Sequence, residues 1–309
     1  MTDIPLEVRS PKRRLGDLTF GATARGAGLL ILLALAGVAV FLTLKGLPAL
    51  GAKSADLDAH ANFAAYVWPL VYGTLISAAL ALLVATPLAI GVALVVSHYA
   101  PRRMATALGY LIDLLAAVPS VVYGLWGIGF LSPKLVPIYE WLADHVGWIP
   151  LFKGPASTTG RTILTASIVL AIMILPIVTA ISREVFLQTP RLQQEAALAL
   201  GATRWETIRL AVFPYARSGI VSAVMLGLGR AMGETMAVAM VLSASGIVSV
   251  NLISSTNPST IAANIALKFP ESSGLSVNAL ILSGLVLFVI TFVVNFAARA
   301  IVSRREVSR

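Results

Sequence analysis

Two charged residues, Arg230 and Glu234, lie inside an apolar stretch that spans about residues 217–243. Arg230 follows Arg217 by 13 residues, which is roughly 20 Å along a helix. That distance places Arg230 near the middle of a bilayer, where a charge costs about 2.5–3.5 kcal/mol on insertion scales. We therefore expect its guanidinium to face a partner or a water-filled cavity.

The four-residue spacing of Arg230 and Glu234 predicts that they share one helix face. Mutual neutralisation would help the helix insert, although two apolar residues would insert more easily. The alternative is an anion site, because an arginine offers a planar fork of donors to phosphate oxygens. A nearby carboxylate could then accept the proton of a protonated oxyanion. Both interpretations stay open, and Gly229 and Gly233 would allow a close helix approach at a subunit interface.

A second segment of interest, residues 190–214, predicts a helix–turn–helix. The stretch from Pro190 to Leu200 consists of good helix formers, and Gly201 suits the position after a helix end. A second short helix is predicted from Trp205 to Val212 and should end at Pro214, because proline disfavours helical backbone in the residue before it. The residues alone are also compatible with an amphipathic loop on a membrane surface.

The composition of the chain indicates a membrane protein. Of its 309 residues, 58% are hydrophobic and 12% are charged, whereas soluble domains carry about 25% charged residues. The chain has no cysteine, which excludes disulfides and thiolate metal sites, and we predict no metal site. It also lacks the glycine-rich phosphate loop that ends in Gly-Lys-Ser/Thr. We therefore expect a transport subunit that does not hydrolyse ATP, rather than an enzyme.

Stretches of about 20 apolar residues, the length needed to cross a bilayer, recur six times. Each should be helical, since backbone groups find no water in lipid. The sequence thus predicts an all-α polytopic bundle, with Pro119 and Ser120 bending and packing the third helix. The predicted helices are 26–44, 72–97, 107–131, 162–182, 217–243 and 277–302; the predicted regions are a basic tail (1–25), a first helix with an outside loop (26–70), a transmembrane domain (71–303) and, within it, the 190–214 loop.

The basic residues set the orientation of these helices. With the amino terminus inside, sixteen of the 23 Lys and Arg residues fall in cytoplasmic segments and six fall outside, while Arg230 lies within a helix. Both termini and the loop 190–214 should therefore be cytoplasmic. The net charge of +9 then reflects anionic lipid and the cytoplasm rather than nucleic acid. The long outside loops, about 132–161 and 244–276, could pack at the membrane interface or receive an extracytoplasmic partner.

The segment 190–214 closely resembles the EAA loop of ABC importer permeases, in which a short helix docks into a groove of the ATP-binding subunit. The resemblance implies that this segment couples the chain to an ATPase. Its departures are mild and concern packing: Ala211 stands where a larger aliphatic residue is usual, and Phe213 replaces a leucine. The matching residues are Glu195, Ala196, Ala197, Gly201 and Pro214.

The string Gly-Leu-Gly-Arg-Ala-Met-Gly-Glu-Thr-Met-Ala-Val at 227–238 resembles the signature of the PstC family, the larger permease subunits of bacterial phosphate ABC transporters. The string from Asp113 to Gly127 resembles the family's third helix, and the likeness extends over about residues 15–305. The resemblance implies the type I ABC importer permease fold, a bacterial inner-membrane location, and Arg230 and Glu234 as residues of a phosphate pathway.

The same resemblance implies a set of partners. They are a second, PstA-like permease subunit, a PstB-like dimer of ATP-binding subunits and an extracytoplasmic PstS-like phosphate-binding protein. ATP and Mg would be bound by the ATPase subunits, and this chain would need no cofactor of its own. The alternatives are an ABC permease for another oxyanion and an ion-coupled secondary transporter. The latter would act as a self-sufficient chain, often with paired repeats.

Overall fold

The computed structural model describes residues 15–306, and the regular structure in that range is helical apart from one isolated bridge between Ala244 and Asn257. Twelve α-helices are present in the described range. They are α1 (Leu15–Gly46), α2 (Phe63–Leu94), α3 (Arg102–Ala116), α4 (Ser120–Trp126), α5 (Ser132–Val146), α6 (Ile163–Leu187), α7 (Arg191–Ala199), α8 (Arg204–Thr207), α9 (Phe213–Met232), α10 (Met236–Val241), α11 (Ile261–Lys268) and α12 (Leu275–Glu306).

Six helical segments in the described range are long and apolar enough to cross a membrane. This confirms the predicted all-α, multi-pass architecture. The segments are Thr19–Gly51, Phe63–Tyr99, Ser120–Val146, Ile163–Leu187, Arg204–Met232 and Leu275–Ala300.

Helix α6 lies at the centre of the bundle and packs most extensively against α2. The contact is close because α2 presents a stripe of alanines at spacings of three and four residues, so that no large side chain separates the two backbones. Opposite this stripe, α6 contributes the buried side chains of Leu170, Ile174 and Val178. The stripe consists of Ala78, Ala81, Ala85, Ala89 and Ala93, each at most 1% exposed.

Helix α9 also approaches α6 closely, through glycines. A Cβ atom at Gly219 would lie 2.5 Å from Cγ1 of Val185, and one at Gly227 would lie 2.8 Å from Cγ2 of Val178. Neither site has room for a side chain. The close contact commits one face of α9 to the core, while Arg230, which lies next to that face, remains exposed.

The third membrane crossing differs from the predicted continuous helix over 107–131. Helix α3 ends at Ala116, and α4 begins at Ser120 after Pro119. Proline has no N–H to continue a helical ladder and disfavours helical backbone in the residue before it. The hydroxyl of Tyr123 donates to the carbonyl oxygen of Leu115 at 2.9 Å, which bridges the break. The crossing therefore runs from α4 through a π-helical turn into α5.

The amino-terminal helix also differs from its predicted bounds. Helix α1 begins at Leu15 rather than at residue 26, so part of the predicted basic tail is helical. The remainder of that tail, residues 1–14, lies outside the described residues. Helix α1 contacts α12 at the side of the bundle, and most of its surface is exposed. Such a helix would face lipid or another subunit in a membrane.

The two long loops predicted to lie outside are joined at Asn257, which is fully buried. Its Oδ1 accepts a hydrogen bond from the backbone N–H of Ile163 at 3.1 Å. Its Nδ2 donates to the carbonyl oxygens of Arg161, Ser243 and Ser254. One side chain thus ties the start of α6 to the segment that follows α10, so this end of the bundle is closed by an ordered cap.

The close approach of this cap to α2 gives a test of the packing. A Cβ at Gly73 would lie 2.2 Å from the carbonyl oxygen of Ser259, whereas one at Gly91, on the same helix, would meet nothing within 4 Å. We expect Gly73→Ala to destabilise the protein by about 1–3 kcal/mol, the usual cost of overpacking. Gly91→Ala should leave stability unchanged or raise it, because alanine is the better helix former. Thermal unfolding of the purified protein in detergent measures both, and equal melting temperatures would contradict this packing.

Candidate functional site

The segment that carries Arg230 and Glu234 is not one continuous helix. Helix α9 ends at Met232, where the N–H of Gly233 donates to the carbonyl oxygen of Gly229 at 3.2 Å. Glu234 and Thr235 are not helical, and α10 begins at Met236. The predicted shared helix face is therefore wrong, because the four-residue rule requires an unbroken helix between the two positions.

Arg230 is exposed and lines a cleft of about 1090 Å³ between α9 and α12, with α6 at its base. That water fills this cleft at the middle of a bilayer stays a prediction. We call this space the α9–α12 cleft. Its lining residues are Ile177, Ser218, Val221, Ser222, Met225, Leu226, Gly229, Arg230, Phe292, Asn295, Phe296 and Arg299.

Glu234 is turned away from Arg230. It is 7% exposed, and its Oε1 accepts a hydrogen bond from the N–H of Ala237 at 3.1 Å. Its carboxylate thus caps the positive end of α10. Among the side chains that the structure describes, no carboxylate lies within 4.0 Å of the Arg230 guanidinium, so mutual neutralisation of the pair is not observed.

A second arginine, Arg161, holds the opposite end of α10. Its Nη2 donates to the carbonyl oxygens of Met240 at 3.1 Å and Leu242 at 3.4 Å. These carbonyls lie at the end of the helix, where no backbone donor is available. Sequence reasoning missed this role, because the partners lie about 80 residues away along the chain and no local pattern marks them.

The two short broken helices, α4 and α10, pack against each other. A Cβ at Gly124 would lie 2.9 Å from Sδ of Met240 and 3.0 Å from Cα of Ala237. Pro119 and Ser120 therefore start a helix that supports α10, instead of bending a longer one, and the Ser120 side chain makes no cap hydrogen bond.

Gly229 and Gly233 make no close helix contact within the described chain. Both are exposed, and a Cβ at Gly229 would meet nothing within 4 Å. Their use at an interface with another subunit stays a prediction. The glycines that do allow close packing are Gly219 and Gly227, on the buried face of α9.

The first half of the predicted helix–turn–helix forms as expected. Glu195, Ala196 and Ala197 lie on α7, and Gly201 follows its end with φ +84°, a left-handed conformation that favours glycine. The next helix starts with reciprocal capping between Thr203 and Glu206. The N–H of Thr203 donates to Oε2 of Glu206 at 2.7 Å, and the N–H of Glu206 donates to Oγ1 of Thr203 at 3.3 Å.

The second half differs from the prediction, because Pro214 does not end a helix. Helix α8 passes through a π-helical turn, Ile208–Val212, directly into α9. Pro214 directly follows this π-helical turn, where the regular helical hydrogen-bond pattern is already interrupted. The loop and the transmembrane helix are therefore one continuous helical segment from Arg204 to Met232.

The loop carries an exposed apolar cleft of about 680 Å³, which we call the loop cleft. Leu200 and Leu210 line it and are 90% and 67% exposed. Concave apolar surface of this kind marks a protein interaction site. The sequence pattern identified the alanines and glycine here but missed the two leucines. The lining residues are Gln193, Ala196, Ala197, Leu200, Gly201, Ala202, Glu206, Leu210 and Ala211.

The other side of the loop is anchored in the bundle. Ile208 and Val212 pack with Phe186 of α6 and with Ala93 and Leu94 at the end of α2. Phe186 is fully buried and packs edge-on against Phe213. Displacement of the loop cleft would therefore be transmitted to three helices of the bundle at once.

Residues 85–307 match the model of a family described as "Binding-protein-dependent transport system inner membrane component". The chain belongs to this family. It is 48% identical over 303 residues to the "Phosphate transport system permease protein PstC 2" of Mycobacterium tuberculosis (strain ATCC 25618 / H37Rv), which covers 94% of this chain and 93% of the relative. It is 46% identical over 274 residues to the "Phosphate transport system permease protein PstC" of Mycobacterium leprae (strain TN), with 85% and 86% covered.

Solved structures place the fold among ABC importer permeases. A chain of a bacterial ABC transporter involved in the import of the acidic polysaccharide alginate superposes with a TM-score of 0.53 at 19% sequence identity. The match covers 92% of this chain and 99% of the other. At this identity the likeness concerns the fold alone, and it confirms the predicted fold class.

Two leucines at the same depth in the bundle allow a test of whether the α9–α12 cleft contains water. Leu226 lines the cleft, and Leu83 is exposed elsewhere on the bundle. Their depths match, because Cδ2 of Leu82 lies 3.9 Å from the place of a Cβ at Gly227. The chain has no native cysteine. We expect a charged thiol reagent to label Leu226→Cys in membranes much faster than Leu83→Cys, because thiolates form in water and not in lipid. Equal labelling rates would show that the cleft is not aqueous.

Proposed function

We propose that this chain is a transmembrane permease subunit of an ATP-driven importer of inorganic phosphate. The observation that carries the proposal is Arg230, which lies on the wall of a transmembrane cleft with no carboxylate within 4.0 Å in the described chain. The names of the relatives, which are 46–48% identical, supply the substrate class.

The chemistry follows from the unneutralised charge. A guanidinium carries five N–H donors in a fixed plane, a geometry that matches the oxygens of phosphate. In a cleft bounded by apolar helices its field is screened less than in bulk water. Phosphate entering the cleft would therefore be attracted to Arg230 and form charge-assisted hydrogen bonds with it.

The predicted role of Glu234 as a pathway residue is not needed for this step. Its carboxylate is buried and caps α10, so it would act by holding the start of α10 in place. With that carboxylate turned away, Arg230 offers only N–H donors. Any oxyanion can accept hydrogen bonds from them. An importer of another oxyanion is therefore the second candidate function. Competition between phosphate and sulfate for uptake distinguishes the two.

The partners follow from the two clefts. A second, PstA-like permease would close the open side of the α9–α12 cleft, near Gly229 and Gly233. A PstB-like ATPase dimer, which binds the ATP and Mg, would dock on the loop cleft. A PstS-like phosphate-binding protein would deliver phosphate to the opposite end of the bundle. In this arrangement both termini are cytoplasmic, and the protein lies in a bacterial plasma membrane with its long apolar helices in contact with lipid.

Substitution of Arg230 tests the pathway. We expect Arg230→Gln to reduce phosphate uptake about 10- to 100-fold, because a hydrogen bond to a charged group contributes about 1.5–3 kcal/mol. The control is Arg217→Gln, which removes the same charge from an exposed position of α9 outside the cleft. Uptake of radiolabelled phosphate into vesicles reconstituted with the partner subunits measures both. Wild-type uptake by an assembled Arg230→Gln complex would exclude Arg230 from the pathway.

The loop cleft is tested by two leucines of the same loop. Leu200 and Leu198 are both exposed, but only Leu200 lines the cleft. Leu200→Ala should weaken copurification of the ATPase subunit about tenfold, since truncating an interface anchor costs more than about 1 kcal/mol. Leu198→Ala should have little effect. Titration of the detergent-solubilised permease with purified ATPase subunit gives both affinities, and identical values would place docking elsewhere.

A further inference from the structure

The α9–α12 cleft has a direction. Phe63 and Tyr66 at the start of α2 pack with Leu280 near the start of α12. The end of α2 packs instead with Ile208 and Val212, just before α9. Helices α9 and α12 are therefore antiparallel. The end of α12 lies at the same end of the bundle as the loop 190–214, which we call the coupling loop. Arg299, near the end of α12, lies on that side of the cleft.

The polar residues of the cleft form two facing rows. On α9, Ser218, Ser222 and Arg230 fall at multiples of four residues and so lie on one face. On α12, Asn295 and Arg299 are also four residues apart. The row on α9 places Arg230 roughly 12 Å from Ser222 along the helix axis. The row on α12 continues towards the coupling loop and ends in the second cation.

The cleft contains two arginines and no acidic residue among the described residues that line it. Arg299 is exposed, and no carboxylate lies within 4.0 Å of it among the residues whose side chains the structure describes, which leave out Asp17 and Glu306. A guanidinium on the wall of a cleft without a paired carboxylate attracts anions and can bind them through its N–H donors. The arrangement therefore favours an anion at both positions, not only at Arg230.

Asn295 adds a donor next to Arg299. One N–H of its amide donates to the carbonyl oxygen of Thr291 at 2.9 Å, and the second remains available towards the cleft. The ring of Phe296 is stacked on that of Phe292, with centroids 6.4 Å apart, and forms the apolar wall beside it. A donor pair set in an apolar wall is suited to an oxyanion that has shed part of its water.

We infer that Arg299 and Asn295 form a second phosphate site, at the coupling-loop end of the α9–α12 cleft. This inference rests on the proposed function and extends it. Phosphate bound at Arg230 passes to Arg299 before release, so that no single site holds it too tightly. Rapid passage through a protein requires such a succession of moderate sites.

The same donors would suit the phosphate of a lipid headgroup, and the experiment separates the two sources. Radiolabelled phosphate uptake is measured in vesicles that contain the partner subunits, once with phosphatidylcholine alone and once with added phosphatidylglycerol. The variants are Arg299→Gln, Arg299→Lys and Asn295→Asp, with Arg217→Gln as the matched loss of one exposed arginine. Asn295→Asp is nearly isosteric and repels anions, so it decides the question even if Arg299→Gln fails to assemble.

We expect Arg299→Gln and Asn295→Asp to lower the maximal uptake rate about tenfold in both lipids, with the half-saturating external phosphate concentration unchanged. Arg299→Lys should retain part of the rate, and Arg217→Gln should match the wild type. Wild-type rates in Asn295→Asp and in any assembled Arg299→Gln complex would overturn the inference. A defect confined to vesicles with phosphatidylglycerol would assign the site to lipid and would also overturn it.

The controls keep this inference separate from the proposed function. If the wild type takes up no phosphate, the proposed function fails. If Arg230→Gln has no effect, Arg230 is excluded from the pathway while the proposed function stands. If Arg230→Gln is defective while the Arg299 and Asn295 variants are not, only the second site is wrong.

Discussion

An arginine on a membrane-crossing helix requires either a counter-charge or water, and the structure places Arg230 on the wall of an open cleft. The carboxylate nearest in sequence, Glu234, caps α10 instead of pairing with it. Glycines on one face of α9 bring that face onto α6, so the face with Arg230 remains open to the cleft. The unpaired charge of Arg230, the end of α9 at Met232 and the open side of the bundle thus belong to one structural arrangement.

Each break in the membrane-crossing helices leaves backbone groups that lipid cannot satisfy. Side chains from distant segments satisfy several of them. Tyr123 reaches back across the break before α4, and Arg161 holds the carbonyls at the end of α10. Asn257 does the same where the loops meet α6. The short helices next to the cleft are therefore held firmly, although no regular helix continues through them.

The sequence predicted the features that depend on local pattern. The length of the apolar stretches predicted six crossings, and the fit of glycine to left-handed backbone predicted the conformation of Gly201. It failed where distant contacts or chain direction decide the outcome. The break after Met232 removed the Arg230–Glu234 face, and Pro214 entered a helix that it was expected to end. Arg161, Arg299 and Leu200 were missed because only the assembled bundle shows what they face.

The unbroken helix from Arg204 to Met232 has a mechanical consequence. This segment of 29 residues contains a π-helical turn and Pro214 near its start, but it stays helical throughout and so transmits torsion as well as push and pull. Successive residues of a helix differ by about 100° around its axis, so a twist of a fraction of that angle swings a long side chain sideways by several ångströms. A partner subunit bound at Leu210 would therefore change the direction in which the Arg230 side chain points. Transport could then be gated by rotation of a single helix while the rest of the bundle stays in place.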